Sequence, residues 1–406
     1  MISNNIKIIK QANRYLVLQC ISAYGPMSVE DIVKKTDLSR PTVLDALKVL
    51  MKENILVKNG FSKSTGGRSA SLISINTAAY YAVGIDFEFP KIRIVAADLK
   101  GGICANKTIE YPLDIQASEV LADLPKQIES FIYGLGIDRR KIAGVGLGLS
   151  GLVDSVEGKS KSIERINGWK NINIQSILEA KLKLPVYVQN DVHLLGVVEK
   201  RLYLDNCETK PDNFIYIGLR AGIGSVIFIN GKPFNGASGN AGFIGHTMLN
   251  PSGPRCICGK RGCLDAYAGE LAIIRKYREE KAKQKIPLEP GDDLLKMEDF
   301  IHRSNAGDSI CTEILREAGS YLGIAIANMV ETMEITDVVI GGCSDLDGSV
   351  FLCSVKESAT EHLPIYFKKR ISISVGQLSE AEYPLGGCFL VFDHLFHKPQ
   401  LTLSLS

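Results

Sequence analysis

The chain has 406 residues, 45% hydrophobic and 23% charged, with 38 Gly and 15 Pro. This composition excludes wholesale disorder, collagen-like repeats and coiled-coil rods. At roughly 150 residues per domain it predicts two or three domains, each able to bury its own core. The net charge of +2 hides an asymmetry: residues 1–76 carry 11 Lys/Arg against 5 Asp/Glu, and the other 330 carry 36 against 40. A basic head on a slightly acidic body predicts a polyanionic partner for the head alone. Apolar runs break well before the ~18 residues of a membrane span. The segment MISNNIKIIKQANRYLV lacks the apolar core and cleavage site of a signal peptide, so the expected location is cytoplasmic.

In chain order, Ile6, Ile9, Leu16 and Cys20 recur at helical spacing up to Gly25-Pro26. Ser28, three residues before Asp31, opens a second helix with Ile32 and Val33. Asp37-Leu38-Ser39 is a polar turn, and Ser39 is a fitting N-cap for a third helix with Pro41 in its first turn and Val43, Leu44, Leu47 and Leu50 behind it. Ile55-Leu56-Val57 and Leu72–Ile75 read as two strands around a polar, basic loop. The order is that of a winged helix-turn-helix over 1–76.

From residue 80 strands and helices alternate. Tyr81–Phe87, Ile92–Asp98, Ile142–Leu149 and Pro185–Gln189 read as strands, with helices at Val120–Ile132 and Ile174–Leu182. After Asp191 the pattern repeats with Phe214–Leu219, Val226–Asn230, a long helical region over 265–332, and Val338–Gly342. This predicts an α/β body of two lobes: 77–190, to which 385–406 return, and 191–384.

In the head, the second helix of the turn would enter the major groove, where short polar or basic side chains reach base edges. Ser39, Arg40 and Thr42 fit that demand, and the basic charge supplies attraction to phosphate. The loop Lys63-Ser64-Thr65-Gly66-Gly67-Arg68 reads as the wing. Gly66 and Gly67 let it run flat into a narrow groove, and Lys63 and Arg68 suit its negative potential. The bland alternatives are an amphipathic surface helix and a solvated linker; both elements arriving in this order favour DNA.

In the body, Gly245-His246 is followed by Cys256, Cys258 and Cys263. One imidazole and three thiolates make a closed tetrahedral donor set suited to structural zinc, with no position left open for catalysis. The alternative is a cluster of free thiols in a reducing compartment, where the ten cysteines of the chain are expected to be mostly unpaired. Gln189-Asn190-Asp191 ends an apolar strand where α/β proteins bind ligands. Asp191 reads either as a general base toward a hydroxyl or as a helix cap. Gly222-Ile223-Gly224 and Gly341-Gly342 could approach a phosphate, but such short pairs carry little by themselves.

Together these elements resemble the ROK family, which groups sugar-responsive repressors with sugar kinases on an actin-like, hexokinase-type fold. The resemblance covers nearly the whole chain. It rests on the helix-turn-helix, the Thr65-Gly66-Gly67-Arg68 wing, the His-Cys-Cys-Cys segment, and the run Gly222-Ile223-Gly224…Asn230-Gly231-Lys232…Gly236…Ala241-Gly242…Gly245-His246. It implies that Asn167-Gly168-Trp169 lines a sugar site and that Asn190 and Asp191 bind the sugar, Asp191 being the residue that supplies the kinases' base. His246, Phe243 and Asp265 would complete the effector pocket.

Departures from the family pattern separate kinase from repressor. Family kinases carry Asp-x-Gly-Gly-Thr at the first phosphate loop, where this chain has Asp86-Phe87-Glu88-Phe89-Pro90. Glu88 sets a negative charge where phosphate oxygens would lie, and Pro90 lacks a donor N–H. Asp191 is then a vestigial base, and no catalytic residue is expected. Phe243 replaces a carboxylate that accepts sugar hydroxyls in relatives, so it either stacks on a sugar face or fills the pocket. Asp265 stands for a Glu one methylene longer. The reading is a non-enzymatic repressor of carbohydrate-use genes that binds an inverted-repeat operator as a homodimer or higher oligomer, with a sugar or sugar phosphate as effector, structural zinc as its cofactor, and no membrane partner. The alternatives are an ATP-dependent sugar kinase and a regulator that docks a protein instead of a ligand.

Overall fold

A computed structural model describes residues 2–61, 69–163, 165–206, 211–237, 239–289, 291–292 and 294–396. The wing positions Lys63, Gly66, Gly67 and Arg68 lie outside the described residues. The head comprises α1 (Ile2–Tyr24), α2 (Val29–Thr36), α3 (Arg40–Lys52) and an antiparallel pair, β1 (Leu56–Phe61) and β2 (Ser71–Ile75). Local chemistry sets its boundaries. Ser28 and Asp31 form a reciprocal capping box on α2, and Ser39 Oγ accepts from the Thr42 amide to start α3. Val17, Leu18, Cys20 and Ile21 of α1 pack with Ile32, Val43, Leu47 and Leu50.

The apolar stripe of α1 is covered over only part of its length. Ile9 and Leu16 are 57% and 40% exposed, whereas Val17 and Ile21 are buried. Ile9 instead borders an open groove beside Pro41, Thr42 and Asp45, because only the C-terminal half of α1 is covered by α3 and the sheet pair.

The body repeats one sheet topology. Its first half runs β3 (Tyr81–Glu88), β4 (Lys91–Asp98), β5 (Ile103–Glu110), α4 (Ala117–Gly134) and β6 (Ile142–Leu149). A small sheet follows, of β7 (Val153–Asp154), β8 (Lys159–Ser162) and β9 (Lys170–Ile172), then α5 (Ile174–Leu182), β10 (Val186–Asn190) and α6 (Asp191–Leu202). The second half runs β11 (Phe214–Leu219), β12 (Ile223–Ile229), β13 (Lys232–Pro233), α7 (Asp265–Ala268), α8 (Glu270–Lys283), α9 (Met297–Asn305) and α10 (Ser309–Met333). It ends with β14 (Asp337–Gly341), α11 (Val350–His362), α12 (Ile365–Lys368), β15 (Ser372–Val375) and α13 (Leu385–Leu395).

The sheet orders are β5-β4-β3-β6-β10 and β13-β12-β11-β14-β15. In each, an antiparallel meander comes first and two parallel strands are then added beside its first strand. The helical region expected over 265–332 is four helices, separated at Gly269, around Pro287 and at Gly307, whose φ is +98°.

α13 returns across the first sheet, and this explains the glycines of β3 and β6. A Cβ at Gly84 would lie 1.9 Å from the Pro384 carbonyl oxygen, and one at Gly146 1.9 Å from that of Gly387. The helix therefore rests directly on strand backbone. Just past its end, Phe396 packs against the core of the head along with Tyr80 and Leu99. Among the described residues no helix is long and apolar enough to cross a membrane.

Candidate effector cleft and metal centre

The first hairpins of the two sheets bring opposite charges together. β3 carries Asp86 and Glu88; the turn between β11 and β12 carries Arg220. Arg220 donates from Nη1 to Asp86 Oδ1 at 3.0 Å, from Nη2 to Asp86 Oδ2 at 2.9 Å, and from Nε to Glu88 Oε1 at 3.1 Å. Its Nε also lies 3.7 Å from Asp191 Oδ2. Arg93, paired with Asp86 in the β3–β4 register, donates to Asp86, Glu88 and Glu380 at 3.1, 3.1 and 2.5 Å. The Tyr383 ring lies 5.0 Å from the Arg220 guanidinium and 5.8 Å from that of Arg93. Arg220 and Asp86 side chains are only 2% and 3% exposed.

This network changes how Glu88 is understood. Burial alone would raise its pKa, but the Arg220 guanidinium outweighs burial, helped by Lys296 and Arg93, and holds it at about 2. Its charge is neutralised within the protein, so the turn presents an Arg–carboxylate cluster and not the bare negative charge expected from Glu88. Asp191 behaves oppositely. Burial pushes it up to about 7; Arg220 opposes the rise, while Asp86 and Glu88 add to it.

Neither Arg93 nor Arg220 was singled out from the sequence. The available signal was a lone Arg inside the apolar run Ile92–Ala97, and another between two apolar strands. Such positions are buried, and a buried guanidinium requires carboxylate partners.

The other expected effector residues divide into groups. Asn190 Oδ1 accepts from the His193 amide at 3.2 Å as the N-cap of α6, and its Nδ2 donates to the Gly151 carbonyl at 3.2 Å. Asp191 is therefore held in the first turn of α6, facing Arg220. Asn167 and Gly168 sit on an exposed turn, where the Asn167 carbonyl accepts from Ala117. The following Trp169 is buried 5.3 Å from Phe87 and donates to Ser160 Oγ at 2.9 Å. No hydrogen bond or ion pair among the described residues joins Asn167 to Asp191. A second tie between the lobes runs from Arg165 Nη2 to Glu270 Oε1 at 2.6 Å.

Phe243, His246 and Asp265 come together around the cysteine segment. The Phe243 and His246 rings lie parallel, with centroids 6.1 Å apart. Asp265 Oδ1 accepts from the Ile223 amide at 2.9 Å, while Oδ2 lies 3.6 Å from His246 Nδ1. Ligand atoms of His246, Cys256, Cys258 and Cys263 all lie within 4.8 Å of one another, a set that could hold a metal ion. Cys258 and Cys263 sulfurs are 3.7 Å apart, and Cys256 Sγ is 3.6 Å from His246 Nδ1. Gly262 makes this packing possible: its φ is +68°, and a Cβ there would lie 1.6 Å from the Asn250 carbonyl oxygen.

In the head, the Ser39 hydroxyl serves as the cap of α3 and lies 2.8 Å from Thr42 Oγ1. Arg40 is 59% exposed at the helix start and paired with Glu30 of α2.

The comparisons agree with this architecture. The ROK family model matches residues 82–393. The xylose repressor of Caldicellulosiruptor bescii is 27% identical over 399 residues, covering 98% of this chain and 99% of its own length. A solved structure of a ROK family transcriptional regulator, a homologue of the E. coli MLC protein, superposes with a TM-score of 0.81 at 24% identity, over 96% of this chain and 98% of that one. The ROK family glucokinase of Streptomyces griseus, in complex with glucose and AMPPNP, superposes with a TM-score of 0.64 at 23% identity, over 76% of this chain and 98% of its own. With the family match spanning both sheets of the body, the chain belongs to the ROK family.

Proposed function

We propose that this protein is a sequence-specific DNA-binding regulator, a repressor of carbohydrate-use genes, whose body senses a sugar in the cleft between the lobes. One observation carries the reading: a capped helix-turn-helix is joined to a ROK body in which Arg220 fills the turn at Asp86–Pro90. Phosphoryl transfer needs the nucleotide's phosphates held by backbone donors and a metal ion, and positioning supplies most of the rate. Here a guanidinium and two carboxylates neutralise one another at that turn, and Pro90 has no N–H to donate. Asp191 then accepts a hydrogen bond from an effector hydroxyl, with Phe243 against the sugar face and His246 and Asp265 beside it. The effector shifts lobe closure by binding one state more tightly, typically by ~1–3 kcal/mol, and so moves the heads of an oligomer relative to each other.

Asp191 also favours the kinase reading, because a carboxylate near neutrality suits a general base. Titration calorimetry with Mg-ATP and a phosphorylation assay on a hexose panel separate the two. The regulator shows neither ATP binding near millimolar nor turnover; ATP-dependent phosphorylation that requires Asp191 overturns it.

The metal set fits zinc. Zn–S bonds of about 2.3 Å and Zn–N bonds of about 2.0–2.1 Å at tetrahedral angles give S···S near 3.8 Å and S···N near 3.6 Å. The corresponding separations here are 3.7 and 3.6 Å. His246, Cys256, Cys258 and Cys263 would hold the ion, which fastens this segment and supplies no reaction step. Elemental analysis is expected to give about one zinc per chain, and Cys258→Ser to damage effector response before DNA affinity.

For DNA, Ser39 positions the helix while Arg40 and Thr42 face the groove, with Lys63, Gly66, Gly67 and Arg68 as the wing. Arg40 must leave Glu30 to reach a base edge. Arg40→Ala is expected to weaken operator binding by ~1–3 kcal/mol and relax preference at one base pair. The operator is an inverted repeat with half-sites about one helical turn apart or a multiple of it. Retarded operator DNA with residues 1–76 deleted would refute the assignment of the head.

A further inference from the structure

α6 has a second functional face. Asp191 and His193 are two residues apart, about 200° around the helix axis, so they point to opposite sides of α6. His193 is only 8% exposed, and it lines a cavity of about 320 Å³ between α6, β10 and α13, bordered on the side of the second sheet by Pro233 and Asn235. Only its backbone amide is engaged; among the described residues nothing hydrogen-bonds either ring nitrogen. Burial pulls the imidazole down to about 4, so at neutral pH the ring offers one donor and one acceptor. With no protein partner, the ring turns its donor and acceptor toward whatever fills the cavity.

The lining defines the ligand. Ser155, Gln175, Gln189 and Asn235 present a neutral hydroxyl and neutral amides. Gln189 Oε1 already accepts from the Asn190 amide at 2.8 Å, which leaves its NH₂ group to donate. Among the described residues no Lys or Arg lines the cavity. The carboxylate of Asp393 is held by Arg201 at 2.6 and 2.7 Å. An anion would find no cation there, and a cation would find the carboxylate already paired. Leu194, Val197 and Leu390 form an apolar side, next to Tyr187 and His394, whose rings stack 3.9 Å apart. The size lies at the small end of ligand pockets, about 300–1,000 Å³.

The position links this cavity to the head. Asp393 and His394 end α13, and Phe396, two residues on, packs against the core of the head. Tyr15 of α1 is close enough that Asp393, after burial, raises its phenol pKa. Asn235 and Pro233 belong to the second sheet's hairpin, so one occupant would touch both lobes and the helix that meets the head.

We propose that this cavity is a second effector site, on the face of α6 opposite Asp191, for a neutral polyhydroxylated molecule of monosaccharide size whose binding is transmitted to the head by α13. The transmission rests on the regulator reading above; the site itself does not. The full-length protein labelled with ¹³C,¹⁵N-histidine is titrated with D-glucose, D-xylose and myo-inositol, and the His193 ring signals are assigned by their loss in His193→Gln. At least one probe is expected to shift those signals, equally in Asp191→Asn. In Asn235→Leu, a change at an exposed position, affinity should fall about tenfold, the loss of one good hydrogen bond. If none of the probes moves the His193 signals, the site is refuted. It is refuted equally if the shift disappears in Asp191→Asn but survives Asn235→Leu, since the sugar then sits in the cleft. A His193 shift without any change in operator affinity overturns transmission through α13. Absence of operator binding without any sugar breaks the regulator reading instead, and leaves the histidine titration readable.

Discussion

The first hairpin of each lobe occupies the same place in the same strand order, yet the two carry opposite chemistry. In the first sheet it presents Asp86 and Glu88 and turns at Phe89–Pro90; in the second it presents Arg220 before Gly222-Ile223-Gly224. The resemblance to kinases implies phosphate binding at such turns. In this chain the two turns bind each other across the cleft. The repeated topology supplies only the juxtaposition, and three side chains, Asp86, Glu88 and Arg220, fill the space between with a salt bridge. Asp191 belongs to the same contact, since it faces the guanidinium that fills the turn.

Removing Arg220 tests this most directly. Arg220→Ala leaves Asp86 and Glu88 buried with Arg93 alone, and breaking one side of a buried pair costs about 3–5 kcal/mol. Urea unfolding of the full chain should show that loss as a lower midpoint. The triple variant with Asp86→Asn and Glu88→Gln neutralises both carboxylates, leaves Arg93 its bond to Glu380 and takes the counter-charge from Asp191 alone, so it should recover most of the loss. An Arg220→Ala protein within about 1 kcal/mol of the parent would mean that the two hairpins are not energetically joined.

What the sequence made legible follows from how local each signal is. The helix starts at Ser28 and Ser39 were readable because a cap and its amide lie three residues apart. The metal set was readable because three of its four ligands fall within eight residues. Both sheets emerged from apolar runs, but the edge strands β5, β13 and β15 did not, since β5 buries only Ile109 and β13 and β15 bury no residue. The apolar spacing located α1, but such spacing identifies a stripe without saying how far along the helix a partner covers it. The Asp86–Arg220 pair lay beyond reach for a stronger reason: the residues are 134 apart, and only tertiary folding makes them neighbours. Asn190, expected to bind a sugar, caps α6 and bonds the Gly151 carbonyl in this structure.

Next in size is the dependence on pH. Asp191 is raised to about 7 in the folded protein, from an ordinary value of about 3.9. A raised carboxyl contributes its full stability below pH ~4 and loses it as pH climbs to about 7. Asn cannot titrate and resembles the protonated acid. Asp191→Asn should therefore gain on the parent between pH 4 and 7, by at most about 1.4 kcal/mol per pH unit, and hold a constant difference above that. Other titrating groups are common to both proteins and cancel. Paired unfolding curves at pH 5, 6, 7 and 8 read the effect. A difference that stays flat throughout would mean that Arg220 keeps Asp191 ionised, and that the β11–β12 hairpin binds three carboxylates with equal firmness.

The smallest effect belongs to the other tie between the lobes. Arg165 and Glu270 meet at 2.6 Å, but Arg165 is one third exposed, so water competes for it and salt screens the pair. Glu270 also opens α8, where the helix N-terminus favours a carboxylate and partly replaces a lost cation. Burial raises Glu270, and Arg165 is what holds it back. Removing the Arg should raise it further without leaving a fully buried charge. Arg165→Ala is thus expected to cost about 1 kcal/mol or less at neutral pH, with the difference shrinking in concentrated salt. The Arg220→Ala loss, set in a dry site, should change little with salt. If Arg165→Ala instead costs as much as Arg220→Ala and is equally insensitive to salt, the lobes are joined at the rim of the cleft, and the paired hairpins are not what holds them.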